Sequence, residues 1–577
     1  MELGARAQRI PVYTGVLTTI AVMPSFMDAF NIPKLWILTI GSGICLGLFV
    51  PRIRQILSER KLVFVFATPF IVGLLSAAIF SSQGLYRTFL GTWSRNNGFL
   101  AYMSLMILFL ALANMPSVTA PQHLVNTFIG LGFLLALYGV LQINGVDFVA
   151  WENPAQQVIL TLGNSDFSSA LLALTFIATF SSLLDSRKQG WKRIIFTLFM
   201  ICEFYVIAHS KALQGVITLI TGCSIVIGLN LSYSKEPVRK KLGYIWWVIS
   251  GFTGILGVAA VFGHGPINPL IEGKIFSLTD RYYHWLAGLR MMQDNLLNGV
   301  GLDNYGTWYR RYRDLDAINL RGTASTFTNN AHNAYVQFGA TGGLLLILGY
   351  LLLLAFIAWR GLKALKYNID QQLVGALIAV WISFLLQSFV SIDQLGLTVW
   401  GWLFGGAIIG ISYSTLHSKD KNSKKEPIQK TPQTKLRVIT PWIVVGLTPA
   451  ISLMPILVNE YYIRKQIIVF ISTQSPEKLE VESNLLVDLA LISKQPELRS
   501  RVVEVLQYMK SDTDALKLAK SSSVHFPDSF ELNDTVAKIY ETSSNPSLAI
   551  PFRKKTISLD PLNSELVQLL IEDQKQL

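Results

Sequence analysis

The chain has 577 residues, of which 51% are hydrophobic and 15% charged, with a formal net charge of +13. A mean hydropathy of +0.42 excludes an ordinary soluble enzyme and fits a polytopic membrane protein. The surplus Lys and Arg fall in short loops between apolar runs, which argues against nucleic acid as a partner and reads as a topology signal that also favours anionic lipid headgroups.

Arg6 and Arg9 precede the first apolar run and no small-residue cleavage site stands out, so this run reads as a retained span with a cytoplasmic N-terminus. Membrane helices are predicted at about 11–30, 33–50, 62–80, 97–114, 122–143, 163–184, 192–208, 212–232, 243–262, 336–358, 372–391, 395–415 and 438–458. Cys45, Cys202 and Cys223 fall inside these runs and read as packing residues. Basic residues crowd into 51–61, 185–193, 235–241, 360–366 and 419–437, the last with six lysines and Arg437. All five stretches fall on one side of the predicted threading, which makes that side cytoplasmic. The alternate loops are then outside, including a long segment at 263–335 with a helical apolar rhythm around Tyr282–Leu297. Residues 459–577 form a soluble tail outside. There Ala515 and Ala549, Pro527 and Pro561, Glu531 and Glu565, and Leu532 and Leu566 are each 34 residues apart. That is the period of tetratricopeptide (TPR) helix pairs, with a third, weaker unit at 477–510, and such pairs stack into a concave binding surface. The expected fold is therefore an all-α polytopic integral membrane protein with about 12–13 transmembrane helices and a C-terminal TPR-like helical domain. Its domains are 1–458, with a basic cytoplasmic loop at 416–437, and 459–577.

The threading puts Arg87, Arg95, Lys211, Arg281, His332 and Asp393 at one face, the outer one. Ionisable groups at membrane depth are costly and so are functional candidates. Lys211, in His209-Ser210-Lys211-Ala212, sits between two apolar runs with almost no loop; a snorkelling lysine would look the same. His332, in Asn330-Ala331-His332-Asn333, can take and return a proton near neutral pH, though a lone histidine at a helix start is more often a structural hydrogen bonder. Asp393 either orients a catalytic group, pairs with a cation or caps a helix. Arg310 and Arg311, interleaved with Trp308, Tyr309 and Tyr312, suit sugar rings and phosphates, or a membrane interface. Gly299-Val300-Gly301 permits a tight turn whose amides can face an oxyanion. The strings Asp314–Asp316 and Asp512–Asp514 are weak signals for a metal, and no nucleotide-binding glycine loop or zinc motif occurs.

The run from Arg281 through Trp285 and Gly299-Val300-Gly301 to Ala331-His332-Asn333 resembles the O-antigen ligase and polymerase superfamily of bacterial envelope enzymes. The resemblance covers roughly residues 60–415. It implies a glycosyltransferase that takes a glycan from undecaprenyl diphosphate outside the cytoplasmic membrane and passes it whole to an acceptor, without metal or other cofactor. By the resemblance Arg281 binds the diphosphate, His332 is catalytic, and Lys211 stands where the family usually has Arg after Ser, which keeps the charge and loses the bidentate fork. Arg95, in Ser94-Arg95-Asn96-Asn97-Gly98, resembles a further family position. Arg87, Arg310, Arg311, Asn333 and Asp393 are the candidate substrate-binding residues around it. The expected partners are the lipid-linked donor, an acceptor that is a lipid core or a surface protein, membrane lipids, and a protein held by the tail. A polymerase of lipid-linked repeat units is the alternative, and a transporter of an anionic solute is a more distant one.

Overall fold

The structure is a computed structural model that describes residues 9–575 apart from 82, 116–118, 152, 154–156, 186, 188, 262–267, 368–369, 421–435 and 544, and leaves out the side chains of 258, 260, 261, 268–277, 414–420 and 436–438. Among the described residues no strand occurs. The helices run α1 (Ile10–Ile20), α2 (Asn31–Phe49), α3 (Ile53–Ile79), α4 (Leu85–Leu90), α5 (Phe99–Ala113), α6 (Thr119–Ile143), α7 (Ser165–Leu183), α8 (Gly190–His209) and α9 (Leu213–Ser232). They continue with α10 (Pro237–Val261), α11 (Asn268–Asp294), α12 (Tyr305–Tyr312), α13 (Leu315–Arg321), α14 (Ala334–Tyr367), α15 (Gln371–Gln387), α16 (Leu395–Asp420), α17 (Leu436–Ser452) and α18 (Met454–Ser472). The last six are α19 (Pro476–Ile492), α20 (Pro496–Tyr508), α21 (Asp512–His525), α22 (Phe530–Thr542), α23 (Pro546–Leu559) and α24 (Ser564–Lys575).

Most predicted membrane stretches coincide with a helix, but the helix of the predicted 11–30 ends at Ile20, and the predicted 438–458 runs from one helix, Leu436–Ser452, into the next, Met454–Ser472. Among the described residues, seven helical segments are both long and apolar enough to cross a membrane, and α1, α5 and α15 are apolar but shorter. Neither α8 nor α10 is among these, yet both turn apolar rows outward: Ile194, Leu198, Ile201 and Phe204 on α8, Val248, Phe252 and Ile255 on α10. Contiguous apolar faces of this kind belong against lipid. The chain is a multi-pass membrane protein.

Small residues set the closest helix contacts. A Cβ added at Gly349 of α14 would stand 2.6 Å from the backbone of Pro69 and Phe70 on α3, and one at Gly73 would meet the backbone of Leu346 at 2.5 Å. Lipid tails are as apolar as leucine, so helices in a membrane associate through this kind of close backbone approach.

The two ends of the bundle differ. At one end Arg60 donates to the Ala113 carbonyl (2.6 Å), and the Arg60 and Arg360 guanidinium groups lie 4.9 and 3.8 Å from the Tyr413 ring. Arg187 there pairs with Asp185 and Asp370. The stretch 51–61, expected as a loop, is largely helical and folds into α3, with a break at Arg60 (φ −137°, ψ 34°). Most of the basic loop 416–437 lies outside the described residues. The opposite end, the loop end, carries α4, α11–α13 and the tail.

The tail begins as α17 passes almost directly into α18. Leu453 and Leu457 belong to the core of the bundle, whereas Ile463, Ile467 and Phe470 belong to a second core made by the tail. The 34-residue spacing of the sequence reappears as geometry: α20, α22 and α24 start at Pro496, Phe530 and Ser564. Ala515 and Ala549 occupy matching positions on α21 and α23, and both are fully buried. Arg553 of α23 is completely buried and joins α22 through Asp534 (2.6 Å) and Glu541 (2.5 Å).

Candidate active site

The site is built around a sharp turn before α14. His332 adopts a left-handed backbone conformation (φ 51°), an uncommon one for a residue with a Cβ. Its neighbours hold it there: the His332 amide donates to Asn330 Oδ1 (3.0 Å) and the Ala331 amide to Gln337 Oε1 (3.0 Å). Asn333 caps α14, its Oδ1 accepting from the amides of Tyr335 (3.0 Å) and Val336 (3.1 Å). The Ala334 amide donates to the Ser388 carbonyl (2.9 Å), which ties the turn to the end of α15.

Cations surround this histidine. Burial holds the His332 imidazole down to about 3, and the fields of His284, Arg281 and Arg95 act in the same direction, only partly opposed by Asp280. Arg281 lies on α11 and its Nη2 is 3.7 Å from Asp166 Oδ2 at the start of α7. Arg95 donates through Nε and Nη2 to Asn329 Oδ1 (3.3 and 3.1 Å), three residues before His332. Lys211 is exposed in a left-handed turn (φ 56°) and makes no ion pair with the described residues. It belongs to the same end: Gln214 donates to Gln387 Oε1 (2.7 Å) and Ser391 Oγ (2.9 Å), on either side of the Ser388 that receives Ala334.

His284 completes the cluster. Its ring stacks on His332 with centroids 5.4 Å apart. It is fully buried, and burial lowers it to about 4, with Asp280 opposing and Arg321 and Arg281 reinforcing the shift. Nε2 lies 3.5 Å from Asp280 Oδ2, too long for a good hydrogen bond, and neither ring nitrogen has such a partner among the described residues. Asp280 is itself held by both prongs of Arg321, through Nε at 2.6 Å and through Nη2. Asp166, Asp280, His284 and Arg321 escaped the sequence reading. Helical spacing alone puts Asp280, Arg281 and His284 on neighbouring positions of one turn, so α11 held a usable signal.

The loop bearing Arg95 is fixed from below. Ser94 and Asn96 flank it with positive φ (67° and 57°). Asp303 Oδ2 accepts the amides of Thr92 (2.8 Å) and Asn97 (3.2 Å), and burial pushes its carboxyl up to about 7. Asp393 accepts from Tyr102 (2.8 Å) and Thr398 (3.2 Å) and its carbonyl from Asn97 (2.5 Å), so it braces the loop rather than pairing with a cation. The amides of Gly299 and Val300 are occupied by the carbonyls of Asn295 (2.8 Å) and Ala340 (2.9 Å), so neither is available as an oxyanion donor. Asp314 caps α13 and pairs with Arg290 (2.5 Å).

Three predicted substrate-binding arginines reach the tail rather than His332. Arg87 donates to Asn304 Oδ1 (2.7 Å), to Thr307 Oγ1 (3.1 Å) and to Glu497 of the tail. Arg310 reaches Glu531 (3.4 Å) and Asp560 (3.6 Å), with its guanidinium 4.1 Å from the Phe530 ring. Arg311 pairs with Asp528 (3.1 Å). The unpredicted Arg313 is buried against Asp560 (2.6 Å) and the carbonyls of Ala324 (2.9 Å) and Thr326 (2.8 Å). This arginine run docks the tail onto the loop end. Between the two lies a cleft of about 920 Å³.

Residues 157–351 match the O-antigen ligase family. The matched segment takes in α7–α13 and the start of α14, and with them Lys211, Arg281, His284, Arg310, Arg311, His332 and Asn333. Arg87, Arg95 and Asp393 lie outside it, and the fold brings the loop holding Arg95 to Asn329 of the matched segment. The chain is also similar to the "Teichuronic acid biosynthesis protein TuaE" of Bacillus subtilis (strain 168), 22% identical over 257 residues. That match covers 42% of this chain and 49% of the relative, so the chain spans about half the length of the curated protein it resembles. The two similarities agree in kind: a segment of this chain is like the O-antigen ligase family, and part of the chain is like a protein named for teichuronic acid biosynthesis.

Proposed function

We propose that the protein transfers a glycan from undecaprenyl diphosphate to an acceptor, a lipid core or a surface protein, at the outer face of the bacterial cytoplasmic membrane. The observation that carries this reading is His332 held on a strained turn among Arg281, Arg95 and His284, at the end of the bundle opposite the basic loops. In the reaction, the acceptor hydroxyl attacks the anomeric carbon and gives its proton to His332. The bond from that carbon to the diphosphate oxygen breaks, and the lipid diphosphate leaves with the electron pair. Arg281, Arg95 and Lys211 face the departing charge, each worth about 3 kcal/mol in a water-poor site. Asp166 holds Arg281 until an anion displaces it. With burial and the fields of Arg281 and Arg95 the imidazole is a poor base; a bound diphosphate cancels the arginine fields and makes His332 basic when it is needed. On this reading the N-terminus is cytoplasmic, and residues 459–577 are a TPR-like domain outside.

The similarity to a teichuronic acid biosynthesis protein favours a second reading, joining of repeat units while they remain on the carrier. The test is the fate of lipid-linked glycan in a deletion strain complemented with wild type, Arg281→Ala or His332→Ala at matched abundance. Long polymer stranded on the carrier in the deletion and both variants supports the ligase. Single units reaching the acceptor make it a polymerase. An unchanged glycan profile sinks both readings.

A further inference from the structure

We infer that the cleft between the tail and the loop end is a binding site for a saccharide chain of low net charge, one that delivers a sugar to His332; this rests on the transfer reading above. The cleft runs between α4, the 92–94 loop and α12 on one side and α20–α22 on the other. Its volume, about 920 Å³, is at the upper end of ligand pockets (roughly 300–1,000 Å³) and suits an oligomer rather than a single sugar.

Three features select the ligand. Tyr86, Trp93 and Phe327 give the wall aromatic faces beside hydrogen-bonding groups, and sugar rings present C–H faces edged by hydroxyls. The charged lining is nearly balanced, five basic side chains against four acidic, so neither a polyanion nor a polycation is favoured. Several of these charges are already matched within the cleft, Arg87 with Glu497 and Arg310 with Glu531, which pre-forms the site and leaves it without a strong field. Continuity with the reaction centre comes from Ser94 and Asn329, which line the cleft. Asn329 is also the acceptor for Arg95, and it is three residues from His332.

The chain in the cleft is either the donor's glycan or a glycan acceptor, and one experiment separates them. The photoreactive residue p-benzoylphenylalanine replaces Phe327, Tyr86 or, as a control outside the cleft, Tyr508, which is 79% exposed. Cells making the full-length protein are irradiated, and the purified protein is assayed for periodate-sensitive, sugar-bearing adducts. Adducts at Phe327 and Tyr86, several-fold above those at Tyr508, are expected. They should persist when His332→Ala is added, so a failure of catalysis is read separately from a failure of capture. Persistence when synthesis of the lipid-linked donor is blocked assigns the chain to the acceptor, and disappearance assigns it to the donor. Adducts that carry protein or lipid without sugar, or sugar capture no greater than at Tyr508, overturn the inference.

Discussion

Removing the carboxylate of Asp560 should undock the tail. Asp560 is fully buried, with Arg313 2.6 Å from one oxygen and Arg310 3.6 Å from the other. Burial still pushes its carboxyl above the usual range, so two arginines do not offset the desolvation of the group. Asp560→Ala leaves Arg313, itself 2% exposed, as an uncompensated buried cation. Breaking a buried pair from one side costs about 3–5 kcal/mol. Arg313 keeps the carbonyls of Ala324 and Thr326, which favours the lower figure of about 3 kcal/mol, or roughly a hundredfold in the docking equilibrium. The double replacement Arg313→Met with Asp560→Leu removes both charges and should lie within about 1 kcal/mol of wild type. Hydrogen exchange of the tail helices in nanodiscs reads this directly. Exchange in α23 and α24 should accelerate in Asp560→Ala and return close to wild type in the double variant. Unchanged protection in the single variant, or equal damage in the double, refutes the reasoning.

The pH dependence should separate free from substrate-bound enzyme. His332 is neutral in the free protein down to about 3, so kcat/KM should show no histidine limb between about pH 5 and 8. The bound diphosphate raises the imidazole, so kcat should fall on the acid side, and the same limb in both parameters would contradict this. Arg281→Lys should retain more transfer than Arg281→Ala, the alanine losing about 100-fold or more, as measured with purified lipid-linked donor. Gly349→Leu forces α14 away from α3 and should destabilise the bundle by about 1–3 kcal/mol, seen as a lower thermal midpoint in detergent. In the tail, Arg553→Ala strands Asp534 and Glu541 beside a cavity and should cost about 3–5 kcal/mol, whereas Lys538→Ala, removing an exposed lysine that pairs with Asp534, should cost under about 1 kcal/mol by the same measurement.

Much of this molecule was legible one helix at a time. Apolar run length located the membrane helices, since the helix is the conformation that satisfies its own backbone in lipid. The residues that recur 34 apart, Ala515 and Ala549 and likewise Leu532 and Leu566, fall on four successive helices, α21 to α24. Arg281 and His332 stood out as costly groups at one end of the threading, and the fold does place the imidazole within the field of that arginine.

The arginines of α12 show where that legibility stops. Arg310 and Arg311, set among aromatics, carried the composition of a phosphate or sugar site. Their carboxylate partners Glu531 and Asp528 are 221 and 217 residues away in sequence. Arg87 likewise finds Glu497 at a separation of 410 residues. Asn333 gave its side chain to a helix cap, and the amides of Gly299 and Val300 went to the carbonyls of Asn295 and Ala340, both choices made by geometry rather than residue type. Hydrophobicity adds up along the chain, so the sequence by itself determined most of the membrane helices, though not the helical course of 51–61. Charge acts at a few ångströms between residues the chain leaves far apart. Only the tertiary structure decided which cations stay near His332 and which clamp the tail.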